Sequence, residues 1–138
     1  MILLDTSGLL AAIDTDEPKH EAAATALRTA LPPFLLSPFI LAELDYLIGE
    51  RLGETVQLDL LAEVSREAYR LATFDAADIA AARSVLIHYR GLGTGLADAS
   101  VVVLAWRYRI QDVLTLDERH FRVLQGPDGP FRILPADA

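Results

Sequence analysis

The sequence predicts an α/β fold in which a parallel sheet is covered by helices on both faces. Three observations predict it. Short apolar runs, such as Ile2-Leu3-Leu4 and Phe34-Leu35-Leu36, alternate with longer helical stretches along the whole chain. The runs are continuously apolar rather than alternating, as expected of strands buried on both faces. The 138 residues, 52% of them hydrophobic, are enough for one domain, residues 1–138, with a true core.

Each element has its own signal. Ile2–Leu4 reads as a strand ending in Asp5-Thr6-Ser7-Gly8, a helix start, and Leu9, Leu10 and Ile13 continue the helical stripe until residues 14–18 break it. Residues 19–30 are Ala-rich and helical, and Pro32-Pro33 stops them. After the second strand, Ser37-Pro38 supplies an N-cap with Pro at the first helical position. That helix runs to about Leu52, where Gly53 ends it. Residues 54–65 form an amphipathic helix and residues 69–73 a third strand. Asp75 opens a helix to about Arg90, with Asp78 in its first turn. Gly91, Gly93 and Gly95 mark a loop. Residues 96–109 form a nearly all-apolar helix and 112–116 a strand. A short helix spans 118–124, residues 126–130 turn, and 131–134 form a last strand.

The chain has no cysteine, which excludes a disulfide scaffold and a thiolate zinc site. The longest apolar run, Val101–Trp106, is far shorter than the ~20 residues that cross a bilayer. The N-terminus lacks the basic start and long apolar stretch of a signal peptide. These features lead to the expectation of a soluble, cytoplasmic protein without a membrane partner. The net charge is −8, carried by residues 1–82 at −9 against +1 for residues 83–138. Such a balance disfavours general nucleic-acid binding.

Four carboxylates stand where solvated charge is not expected. Asp5 and Asp117 each follow a strand. Either can serve as a helix N-cap, but together they meet in one crevice if their strands are neighbours where the sheet order reverses. Glu43 follows Phe39 and Ile40 by four and three residues and precedes Leu47 by four, which places it on an inward apolar stripe. Asp98 lies near the start of a helix with almost no polar face. Four such acids repel one another unless a cation intervenes. All-carboxylate ligation suits Mg²⁺ or Mn²⁺, and the chemistry that follows is metal-assisted attack of water on a phosphodiester.

At these residues the chain resembles the PIN-domain nucleases, and within them the VapC toxins of bacterial toxin–antitoxin pairs. The motifs are Asp5-Thr6-Ser7, Pro38-(x)4-Glu43, Leu96-Ala97-Asp98-Ala99 and Leu114-Thr115-Leu116-Asp117-(x)3-Phe121, in order along nearly the whole chain. The resemblance implies a three-layer PIN-like fold with sheet order 3-2-1-4-5 and a Mg²⁺- or Mn²⁺-dependent endoribonuclease cutting structured tRNA or ribosomal RNA. It assigns the catalytic quartet to Asp5, Glu43, Asp98 and Asp117. Asp5 and Asp98 are the strongest metal ligands, and Glu43 and Asp117 act as outer acids or through water. Ser7 and Thr115 match supporting hydroxyls. The resemblance also implies a homodimer and a small VapB-like antitoxin whose C-terminal segment blocks the site. Arg119 and Arg122, directly after Asp117, are the candidates for RNA phosphate contact.

Rival readings leave less of the sequence explained. An aspartate phosphotransferase centred on Asp5 wants a second Asp two residues on, where Ser7 stands. Ser7 lies in no G-x-S-x-G elbow, and the glycines at 91, 93 and 95 lack the Gly-Lys-Ser/Thr of a phosphate loop. A non-catalytic PIN-like binding or structural module has no physical reason to hold repelling acids together. His20, His88 and His120 show no ligand spacing, and His20 reads as part of a helix start. Trp106 and Tyr108 read as core and helix edge. Leu41, Tyr46 and Ile48 are candidates for a dimer or antitoxin surface.

Overall fold

A computed structural model describes all 138 residues. The elements in chain order are β1 (Ile2–Leu4), α1 (Thr6–Ile13), α2 (His20–Thr29), β2 (Phe34–Leu36), α3 (Pro38–Leu52), α4 (Glu54–Ser65), β3 (Arg70–Leu71), α5 (Ala76–His88), α6 (Leu96–Tyr108), β4 (Asp112–Leu114), α7 (Glu118–Phe121), β5 (Gln125–Gly126), β6 (Gly129–Pro130) and β7 (Arg132–Leu134). The main sheet is parallel with order β3-β2-β1-β4-β7. This is the expected 3-2-1-4-5 order. The last strand is seventh in number only because residues 125–130, expected as a plain turn, pair as the antiparallel β5–β6 hairpin.

The middle of the sheet lies inside because β1, β2 and the end of β4 are apolar. Ile2, Leu3, Leu4, Leu35, Leu36, Val113 and Leu114 are all buried. The chain steps from β1 to β2 to β3 in one direction, then returns across both to place β4 beyond β1. With right-handed crossovers, the helices of the first two connections cover one face and those of the third cover the other. Packing agrees: α1 lies on α2 and α3, α3 on α4, and α5 on α6. The reversal falls between β1 and β4, so the crevice of the sheet opens at their C-terminal ends.

Local chemistry sets the helix ends that matter. Ser37 Oγ accepts the Phe39 N–H at 3.1 Å with Pro38 at the first position of α3, and the same hydroxyl lies 2.7 Å from Ser100 Oγ on α6. This buried pair fixes the start of α3 against α6. Asp75 and Asp78 form a reciprocal capping box on α5. Gly8 lets α1 lie directly on β4: a Cβ there would overlap the Leu114 carbonyl and come within 2.7 Å of Thr115 N.

Several boundaries differ from the sequence reading. The third strand is two exposed residues at the sheet edge, because only β2 pairs with it. The strand expected to reach residue 116 ends at Leu114, and the helix expected over 118–124 is a single turn. Trp106, read as core, is 53% exposed and donates Nε1–H to the Gln125 carbonyl beside the hairpin. Ile48, offered as a surface residue, is buried in the core, whereas Tyr46 is exposed. No helix is long and apolar enough to cross a membrane.

Candidate active site

A cavity of about 400 Å³ opens at the sheet reversal. Asp5, Asp98, Asp117, Glu43, Arg51 and His120 all line it, together with apolar Leu10, Leu47 and Leu96. The structure therefore brings all four sequence-predicted acids to one place, although they come from four separate elements.

Asp5 leaves β1 and is 4% exposed. It occupies the N-cap position of α1, yet its side chain caps nothing. Instead Oδ2 accepts the Thr115 hydroxyl at 2.6 Å, with Ser7 Oγ at 3.4 Å. Ser7 and Thr115 join across 3.2 Å and are held in turn by main-chain donors. Leu116 N–H donates to Ser7 Oγ and Asp117 N–H to Thr115 Oγ1, each at 2.9 Å. The two hydroxyls read as supporting groups thus tie the end of β1 to the end of β4 and orient Asp5. Burial pushes the Asp5 carboxyl up to about 7, against the lowering effect of the Thr115 bond and with the charges of Asp98 and Asp117 adding to the rise.

Asp98 lies in the first turn of α6, with its side chain 21% exposed. Burial raises its pKa, the Asp117 charge raises it further, and Glu43 contributes a smaller push, while His120 opposes the rise. Asp117 does act as an N-cap, with Oδ1 accepting the His120 main-chain N–H at 3.0 Å. Its other oxygen meets His120 Nδ1 at 2.7 Å.

Glu43 departs from its expected setting. The buried stripe of α3 is Ile40, Leu44 and Ile48, and Glu43 stands one position off it, exposed at the cavity wall. One residue on a helix turns the side chain by about 100°, which separates a core position from a rim position. Glu43 still faces the other acids, but from the wet side.

His120 is the residue that sequence reasoning passed over. Its ring Nδ1 lies 3.7 Å from Asp98 Oδ2 as well as against Asp117, so the imidazole bridges two of the acids. Its Nε2 is buried without a partner. The spacing Asp117-x-x-His120 was the available signal, because residues three apart on a helical turn share a face. His20, by contrast, is structural: its Nδ1 meets the Ala11 carbonyl at 2.8 Å.

The two candidate RNA-contacting arginines part company. Arg122 is consumed by a paired contact to Asp137 at 2.7 and 2.8 Å and by Glu118 at 2.8 Å, so its charge is offset by two acids. Arg119 is exposed and makes no ion pair. Neither lines the cavity.

The donor set fits a divalent cation. Ligand atoms of Asp98, Asp117 and His120 lie within 4.8 Å of one another. Buried Asp5 belongs to the same charge cluster, though not to that trio, and no Lys or Arg pairs with it. Carboxylate oxygens with one imidazole suit a hard or borderline divalent ion.

Known proteins share this arrangement of chain. The PIN domain family profile matches residues 2–126. Ribonuclease VapC26 of Mycobacterium tuberculosis is 40% identical over 135 residues, spanning 97% of this chain and 100% of that protein. The crystal structure of Mycobacterium tuberculosis VapC20, a sarcin–ricin loop cleaving toxin, matches with a TM-score of 0.79 over 85% of this chain and 90% of the other. Its 20% identity speaks for the fold alone. A profile over most of the chain and a full-length relative agree, and the chain belongs to the PIN-domain family, among the VapC ribonucleases.

Proposed function

We propose that this protein is an endoribonuclease dependent on Mg²⁺ or Mn²⁺. The observation that carries the reading is Asp5: a carboxylate almost wholly buried, raised to about 7, with two further acids beside it and no cation of the chain paired to it. A charge so placed costs stability in the metal-free protein and is explained by a ligand that offsets it. Asp5 and Asp98 are the residues we assign to hold the ion, with Glu43 and Asp117 acting through water or from its outer surroundings.

The chain's own groups then have distinct tasks. Thr115 Oγ1–H fixes which oxygen of Asp5 remains free to face the cavity. Ser7 keeps that hydroxyl in place through the 3.2 Å contact. His120 holds both oxygens of Asp117, one from its main chain and one from its ring. Exposed Glu43 is the acid best placed to take a proton from water entering the site. A divalent ion held by Asp5 and Asp98 would acidify water and offset charge gathering on the phosphate.

The full-length kinship with a VapC ribonuclease and the fold shared with a toxin that cuts the sarcin–ricin loop support a structured RNA, tRNA or ribosomal, as substrate. The same kinship supports a VapB-like antitoxin as partner and a cytoplasmic setting, and a homodimer as the working form belongs to this proposal. The test is cleavage of total RNA by the purified protein freed of any partner. It is run with Mg²⁺ or Mn²⁺, with EDTA, and with Asp98→Asn, followed by mapping of new RNA ends. Discrete cuts that need the metal and vanish in the variant are expected, with the variant's fold intact. A variant that cuts like the wild type would remove Asp98 from the site. A folded protein that neither cuts RNA nor binds either ion would leave a non-catalytic module in its place.

A further inference from the structure

An RNA enzyme of net charge −8 must still hold a polyanion, and the structure narrows which cation does so. Arg107 is spent on Asp78 at 2.6 Å and on the Thr73 carbonyl. Arg109 faces Asp128, Arg132 pairs with Asp112, and Arg122 is held by two acids. Arg51 is different. It lies in the last turn of α3, is exposed, and makes neither an ion pair nor a side-chain hydrogen bond. It is also the one Lys or Arg lining the cavity that contains Asp5, Asp98 and Asp117.

The helix explains its place. Glu43, Leu47 and Arg51 follow one another at intervals of four residues and form a single wall of the cavity. Eight residues at a rise of ~1.5 Å put Arg51 about 12 Å along the axis from Glu43. On the ribonuclease reading, the acid end of that wall would face the scissile phosphate. The arginine end lies about two helical turns farther along the same groove, where a phosphate next to the scissile one would pass. A guanidinium with five donors and no competing carboxylate is suited to a phosphate diester.

We propose that Arg51 binds the RNA backbone at a phosphate flanking the one that is cut, as the cavity's own anchor for substrate. The proposal rests on the ribonuclease reading above, and its test separates the two. A short labelled single-stranded RNA is titrated in the Asp98→Asn background by fluorescence anisotropy, in KCl from about 50 to 200 mM. Replacing one phosphate contact on a single strand lowers the salt slope by about 0.7. Arg51→Gln is therefore expected to flatten the slope by that amount, so that the parent loses about threefold more affinity across the salt range than the variant does. Arg51→Lys should keep most of the slope. Arg66→Gln, the same charge change at the exposed C-cap of α4, should leave it unchanged. If Arg51→Gln melts early, Arg51→Met keeps the apolar stem and removes the same charge. A slope that does not move, or one that moves equally in Arg66→Gln, overturns the proposal while RNA cleavage by the wild type still stands. Absence of RNA binding in the parent together with absence of cleavage by the wild type overturns the ribonuclease reading and this inference with it.

Discussion

Replacing Asp5 by Asn should make the metal-free protein more stable while abolishing its activity. The perturbation removes one ionisable group from a site where it is 4% exposed and its pKa stands at about 7 instead of 3.8. At 1.36 kcal/mol for each pH unit between 3.8 and about 7, the ionised carboxylate opposes folding by up to ~4 kcal/mol above pH 7. Asn keeps an oxygen for the Thr115 hydroxyl but buries an amide NH₂, so about half of that ceiling, ~2 kcal/mol, is the expected gain. An unfolding entropy of ~2.1 cal/mol/K per residue over 138 residues makes each kcal/mol worth about 3.5 °C, a rise in Tm of ~7 °C. The pH dependence has a definite sign. A folded pKa above the unfolded one means that the native state binds more protons between about pH 4 and 7. Metal-free wild type therefore loses stability as pH rises through that window, and Asp5→Asn lacks this loss. The assay is thermal unfolding in EDTA at several pH values, repeated with millimolar Mn²⁺. The ion should raise the wild-type Tm and leave the variant nearly unmoved, because it binds the native state through Asp5. A variant that melts at or below wild type in EDTA above pH 7, with both shifted alike by Mn²⁺, would refute the assignment of Asp5 as a buried charge awaiting a cation.

Two further substitutions test the scaffold of the site. Gly8→Ala forces a methyl group into the Leu114 carbonyl, where only backbone can yield, so a loss of about 3 kcal/mol or more is expected by denaturant unfolding together with weaker Mn²⁺ binding. An unchanged midpoint would show that α1 is not pinned to β4. His120→Ala frees Asp117 Oδ2 from the imidazole, while the main-chain bond to Oδ1 stays, and should weaken Mn²⁺ binding by roughly 10–100-fold in calorimetry. His120→Asn, which restores a donor near the Nδ1 position, should recover most of it. Equal affinities for all three proteins would reduce His120 to packing.

What the sequence made legible was governed by local rules. The two leading strands are three residues of continuous apolar side chains, and α3 announces itself through Ser37-Pro38. The four acids were recognisable because each interrupts an apolar context or follows a strand. What stayed hidden depended on geometry between elements. The orientation of Glu43 turned on one residue of helical phase, since Phe39 and Leu47 flank the buried stripe without belonging to it. The partner of Arg122, Asp137, is fifteen residues away across a strand, and no local rule pairs them. Asp137 in turn accepts from the Ile133 main chain and is held down to about 2, chiefly by Arg122. Arg51 and His120 enter the site only because α3 and α7 converge on the end of β1, a consequence of strand order rather than of either segment.

The bond between Thr115 and Asp5 joins residues 110 apart in the chain, and Thr115 N–H is itself held by the Leu134 carbonyl on β7. The candidate-site end of the sheet is thus assembled from β1, β4 and β7. During synthesis at ~5–20 residues per second, the first acid emerges many seconds before the hydroxyl that orients it and the strand that supports that hydroxyl. A chain still attached to the ribosome, with residues 112–134 inside it, has the opening residues of a nuclease and no nuclease site. On the ribonuclease reading the fold itself delays the hazard: the site that would cut RNA is incomplete until the closing strands are free to pair.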